Sequence, residues 1–344
     1  MDILVDDVGS FPLPTHVSRK LFDEAYVLAR EAIIKGEDLP KDEFLDENFR
    51  KVILDSFRKK LSAGLDVVNY PQHYDMHKQF AEVVRKTMDE GTYIVSERDA
   101  IIPEVHVISQ EGKMLCEETG KKILLRASIT GPMELYLKEA GTTFHKDILM
   151  MFAETVNRFA KHSILDSKFV KTEVVSLDEP SFGFQDLSVD RDTILDVLEK
   201  AFDFNGVTRQ IHLHSSSRIA NILNVKNIDV LSFEYAASPR NIESVSKQML
   251  DGADKQVRVG ISRTDIDSIV AELHDRGVLN PSAELLVESE EIIRERFLAA
   301  KKKYGDKLVF TGPDCGLGGW PTQEAAQLVL KRTVSAVRSA NIAC

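Results

Sequence analysis

The imidazole of His214, the carboxylate of Glu234 and the thiol of Cys315 are the ligand types that Zn²⁺ prefers, and each closes a short apolar run. His214 ends Gln210-Ile211-His212-Leu213-His214 and is followed by Ser215-Ser216-Ser217, Glu234 ends Val230-Leu231-Ser232-Phe233-Glu234, and Cys315 follows Gly312-Pro313-Asp314. Three protein ligands with a fourth position open is the pattern of a catalytic metal site. Taken singly, each residue also has an ordinary role: a core histidine, a carboxylate paired with Arg240, a buried thiol. A second set could hold a small zwitterion. Asp178, in Leu177-Asp178-Glu179-Pro180, can pair with an ammonium group, and the backbone around Gly9-Ser10 can hold a carboxylate. The plainer readings are a strand-to-loop turn at Gly9-Ser10-Phe11-Pro12, and an N-cap and a salt bridge at Asp178 and Glu179.

These groups meet only if their runs are neighbouring strands. Apolar runs near residues 5–11, 65–70, 123–129, 174–177, 210–214, 230–234, 257–261 and 308–310 alternate with helical patterns near 19–34, 44–62, 76–88, 146–163, 192–202 and 323–338. Residues 91–122 break the rhythm. Tyr93-Ile94-Val95 and Glu104-Val105-His106-Val107-Ile108, with a turn at Gln110-Glu111-Gly112-Lys113, read as an inserted β-hairpin. Eight strands alternating with helices demand a parallel sheet, and eight is the number that closes a (β/α)8 TIM barrel. No Gly-x-Gly-x-x-Gly follows the first strand, which disfavours a doubly wound sheet. The expectation is an α/β fold, one barrel domain over residues 1–344 with an N-terminal helical extension, and catalytic groups at strand C-termini. Ser10, Asn69, Asp178, His214, Glu234 and Cys315 all fall there.

Composition bounds the function. The 344 residues are 43% hydrophobic and 29% charged, an ordinary globular mixture. A net charge of −11 argues against nucleic acid as a partner, since neutralising phosphates needs an excess of Lys and Arg. The acidic N-terminus Met1-Asp2-Ile3-Leu4-Val5-Asp6-Asp7 lacks the basic region of a signal peptide. No run approaches the roughly 20 apolar residues of a membrane span, so the expected address is the cytoplasm. Cys116, Cys315 and Cys344 are too scattered for a disulfide framework, which leaves thiols free for chemistry.

Gly9-Ser10-Phe11-Pro12, Thr130-Gly131-Pro132, Asp178-Glu179-Pro180, Ile211-His212-Leu213-His214, Phe233-Glu234 and Pro313-Asp314-Cys315-Gly316-Leu317, in this order and spacing, resemble the catalytic barrel of cobalamin-independent methionine synthase and its short single-barrel archaeal and bacterial forms. The resemblance implies that His214, Glu234 and Cys315 hold zinc, and that Ser10 and Asp178 hold the carboxylate and ammonium ends of homocysteine; Gly9 and Gln72 are further candidates for binding the substrate. It further implies transfer of a methyl group to a small thiol from methylcobalamin or a methylated corrinoid protein, since no folate-binding second barrel fits in this length. The chain departs from the pattern in three places. Ser216 stands where the family has a cysteine ligand, Asn69-Tyr70-Pro71-Gln72-His73 replaces an acidic turn, and Gly260-Ile261-Ser262-Arg263-Thr264-Asp265 replaces an Asp/His motif. His73, His212 and Ser216 are the candidates for a fourth ligand or a supporting contact. Two alternatives stand beside the methyltransferase: a barrel that binds a small amino acid, a thiol or a corrinoid protein without turnover, and an enzyme acting on another thiol such as coenzyme M.

Overall fold

The computed structural model describes residues 2–143, 145–184 and 189–342, so Cys344 lies outside the described residues. Eight strands form one parallel sheet: β1 Leu4–Val5, β2 Val68–Asn69, β3 Ile123–Thr130, β4 Val170–Asp178, β5 Thr208–Leu213, β6 Val230–Phe233, β7 Gln256–Ser262 and β8 Leu308–Pro313. They neighbour one another in chain order, with β8 returning to β1. The ring closes between β1 and β2. Asp6 bridges Val67, and Asp66 and Val67 donate their N–H groups to the Val5 carbonyl at 2.8 and 3.2 Å. The TIM barrel expected from the alternation is the architecture found.

The period of two along each strand sorts residues between barrel interior and helical shell. Leu125, Ala127 and Ile129 of β3, Val175 and Leu177 of β4, and Ile211 and Leu213 of β5 join the large apolar cluster under the helices. The alternate residues point inward and form layers. At the N-terminal end, Val67, Val174, Val230, Val309 and Phe310 pack with Leu4 and Leu124 into an apolar plug. Above it, Asp6 receives Arg126 at 2.8 Å and Arg258 at 2.6 Å, all three side chains fully buried. Arg126 also donates to Ser176 Oγ at 2.8 Å. Above that layer come Asp178, His212, His214 and Glu234, each two or four residues further along its strand line, which places them on the interior face at the C-terminal rim.

One sequence expectation needs correction. The hairpin at 91–122 is absent among the described residues: Pro103–Gln110 and Gly112–Thr119 are helices, and Tyr93, Ile94 and Val95 form no strand. Pro103 at the first turn favours a helix, and Gly120, at φ 68°, ends the second one in the left-handed conformation glycine tolerates best. The N-terminal helical extension is present and follows β1. The helices Arg19–Lys35 and Lys51–Ser62 lie in the connection from β1 to β2. A further helix, Pro132–Ala140, starts directly at the end of β3.

Candidate metal and substrate site

His212 and His214 end β5 on one face, with their rings edge-on and centroids 5.7 Å apart. Glu234 follows β6 and Cys315 follows β8. One donor atom from each of these four residues lies within 4.8 Å of the others. Cys315 Sγ is 3.4 Å and Glu234 Oε1 3.7 Å from His214 Nε2. The edges of a tetrahedron with zinc–ligand bonds near 2.0–2.3 Å are roughly 3.3–3.8 Å, so these separations suit that ion.

His212 supplies the test of fit. It is 1% exposed, its Nδ1 is 3.0 Å from Ser232 Oγ, and its Nε2 is buried without a hydrogen-bond partner. With Ser232 accepting from Nδ1, Nε2 carries a lone pair aimed at no proton donor, the state a metal-ligating imidazole requires. Burial, His214 and the Arg258 and Arg126 cations hold His212 neutral, well below the ordinary imidazole range. Burial pushes Glu234 up to about 7 and Cys315 up to about 12. Both are acids that a cation between them would ionise.

Two neighbours hold the ligand-bearing ends in place. Asn241 donates through Nδ2 to the His214 carbonyl at 2.8 Å and the Glu234 carbonyl at 2.9 Å. Its Oδ1 accepts from Ser216 N at 3.0 Å, and its carbonyl accepts from Ser216 Oγ at 2.8 Å. Asp314, beside Cys315, accepts three backbone N–H bonds from Tyr235, Ala236 and Ala237, the turn that follows Glu234. Ser216 therefore serves the clamp, with its hydroxyl turned to Asn241. His73 is also placed apart from the cluster: Nδ1 meets the Phe11 carbonyl and Nε2 meets Ser56 Oγ, both at 2.8 Å, and burial lowers its pKa to about 3.

Next to the donor cluster opens a cavity of about 460 Å³ whose wall includes Ser10, Gln72, Glu134, Asp178, His214 and Cys315. Asp178 accepts from Ser176 Oγ at 2.8 Å; burial raises it to about 6 against the opposing pull of Arg126, which leaves it ionised at neutral pH. Ser10 Oγ accepts from Gly318 N at 3.1 Å, and its carbonyl accepts from Leu317 N at 2.7 Å, which ties the β1 loop to the β8 loop. A Cβ at Gly316 would stand 2.3 Å from Ser10 Oγ, so this approach requires glycine. Gln72 donates to Gln79 Oε1 at 2.9 Å, and its own Oε1 is 3.3 Å from where a Cβ of Gly9 would sit. The sequence-predicted His214, Glu234, Cys315, Ser10, Gly9, Asp178 and Gln72 thus come together at one rim.

The sequence reading omitted Asn241 and Glu134. Asn241 lies in the four-residue helix Arg240–Glu243, too short to show a helical period in the sequence. Glu134 had a readable cue, because Gly131-Pro132 after a strand marks a helix start, and Glu179 accepts from Met133 N and Glu134 N at 2.9 and 2.8 Å as its cap. Capping is the role foreseen for Glu179 as the plainer reading.

No protein-family model matches the chain, and no curated protein matches it. Solved structures do match. A B12-independent methionine synthase from Shewanella sp. W3-18-1, in complex with selenomethionine, aligns over 100% of both chains with a TM-score of 0.63 at 15% identity. The likeness is one of fold. A homocysteine methyltransferase, MmuM from Escherichia coli, aligns over 98% of this chain and 96% of its own, with a TM-score of 0.46 at 10% identity. Among the described residues no helix is long and apolar enough to cross a membrane.

Proposed function

We propose that this chain is a zinc-dependent methyltransferase that moves a methyl group from methylcobalamin or a methylated corrinoid protein to a small thiol, with homocysteine the best match. The reading is carried by the four donors of His212, His214, Glu234 and Cys315 drawn together beside a ligand-sized cavity on a barrel. Its resemblance to methionine synthases agrees with the fold shared with the Shewanella enzyme.

These four residues would hold the ion, which when bound supplies a Lewis acid that favours the thiolate form of an incoming thiol. His212 enters the set as the donor that Ser216 is not. Two imidazoles with one carboxylate and one thiolate would leave the ion formally neutral, less electron-rich than a set with two thiolates. Such a site favours ionisation of the thiol and tempers its nucleophilicity. Asp178 would pair with the substrate ammonium, and the Ser10 loop, tied to the Cys315 loop, would receive the carboxylate. This fixes the sulfur toward the donor. In the transfer, the thiol proton would pass to solvent, the sulfur lone pair would form the new S–C bond, and the methyl donor would keep the electron pair of the bond it loses.

Metal analysis of protein purified without chelator tests the reading. One zinc per chain, lost in Cys315→Ala, together with homocysteine-dependent demethylation of methylcobalamin, is the expected result. Protein without zinc whose properties are unchanged by Cys315→Ala would sink it. Zinc and thiol binding with no demethylation of either donor would instead favour a binding protein.

A further inference from the structure

Glu134 lines the wall of the proposed substrate cavity and carries one oxygen that no hydrogen bond fills. The residue is 2% exposed, its Oε2 is buried without a hydrogen-bond partner, and it lines the same space as Asp178 and Cys315. The nearest cation to its other oxygen is Lys138, 3.8 Å away on a half-exposed side chain. Its backbone is anchored, since its own N–H donates to the Glu179 carboxylate at 2.8 Å. His77 Nδ1, in the same wall, is likewise buried and without a partner. Leaving a buried acceptor unmet is costly, and a site tolerates it where a ligand completes the bond. Among the described residues lining the cavity there is neither lysine nor arginine, while two carboxylates, Asp178 and Glu134, are present. A space with that balance attracts a cation and repels an anion.

We propose that Glu134 is a specificity-determining residue whose free oxygen accepts a hydrogen bond from the ammonium group of the thiol substrate, selecting amino-thiols over thiols that lack the amine. The proposal rests on the thiol reading above and deepens it. The acid that the loop after β2 lacks, where Gln72 stands, is supplied from the first turn of the helix Pro132–Ala140. This assignment separates the two acceptors left open by the sequence: it favours homocysteine and disfavours the sulfonate of coenzyme M.

Calorimetry on zinc-loaded protein tests it with three thiols: homocysteine, 4-mercaptobutanoate, which lacks only the ammonium, and 2-mercaptoethanesulfonate. Glu134→Gln, nearly isosteric, should weaken homocysteine about ten-fold or more, while mercaptobutanoate and the sulfonate, which both lack the amine, should bind as well as before or better. Glu134→Asp, which keeps the charge, should retain the preference for the amine. Equal losses for homocysteine and mercaptobutanoate, or no loss for either, with zinc content intact, would overturn the assignment and leave the metal-and-thiol reading standing. A wild-type protein that binds neither zinc nor any of the thiols would overturn both.

Discussion

Of the candidates for a fourth ligand, Ser216 turns its hydroxyl to Asn241, while His212 keeps a buried nitrogen without a partner. The cluster of His214, Glu234 and Cys315 is readable from the sequence because imidazole, carboxylate and thiolate each close a short apolar run. That His212 shares the face of His214 also follows from the two-residue period. What the sequence does not disclose is that Ser232 occupies Nδ1 of His212 and leaves Nε2 unpaired, or that Ser216 is turned to a residue 25 positions away. Under the proposed function, His212→Ala should weaken zinc binding by at least about ten-fold, measured by competition with a chromophoric chelator, and X-ray absorption should count one imidazole fewer. Unchanged affinity and ligand count would remove His212 from the set. Ser216→Ala, by contrast, should leave the number of ligands as it was.

At the scale of elements, the ends of β5 and β6 are joined by one amide. Asn241→Ala removes bonds to the His214 and Glu234 carbonyls and to Ser216 N, all buried or partly so. The expected loss is about 2 kcal/mol or more in urea unfolding, with weaker metal binding as the two ends loosen. An unchanged midpoint would show that other contacts hold these ends. The eight strands were legible because Val, Ile and Leu runs stop at Gly, Pro or polar residues, and most helices because their apolar faces repeat. The stretch 91–122 was not. Glu104-Val105-His106-Val107-Ile108 alternates like a strand, yet Glu104, Val105, Val107 and Ile108 are all buried on a short helix squeezed between neighbours, where burial on most sides erases the helical period. The strong cue there was Pro103 at the helix start.

The whole molecule also carries charge in places that make its stability depend on pH. Glu104 is fully buried, accepts from Gln79 at 3.3 Å through one oxygen and leaves the other unpaired. Burial raises it from 4.5 to about 8. The folded state therefore binds this proton more tightly than the unfolded chain, so the contribution is complete below the unfolded value and is lost as pH rises through about 8. Urea unfolding across that range should show stability falling by a few kcal/mol as pH rises, and Glu104→Gln should flatten the curve. A slope that survives the substitution would assign the effect to other groups. The barrel interior sets a different kind of constraint. Its N-terminal end is stopped by the valine and phenylalanine plug and by Asp6, Arg126 and Arg258, so the cavity at the rim is a blind well. In the proposed reaction both reactants share one doorway, and a corrinoid is far too large to follow a thiol to the bottom. The thiol must arrive first and the donor close the opening behind it, so an excess of donor would lock out its own acceptor.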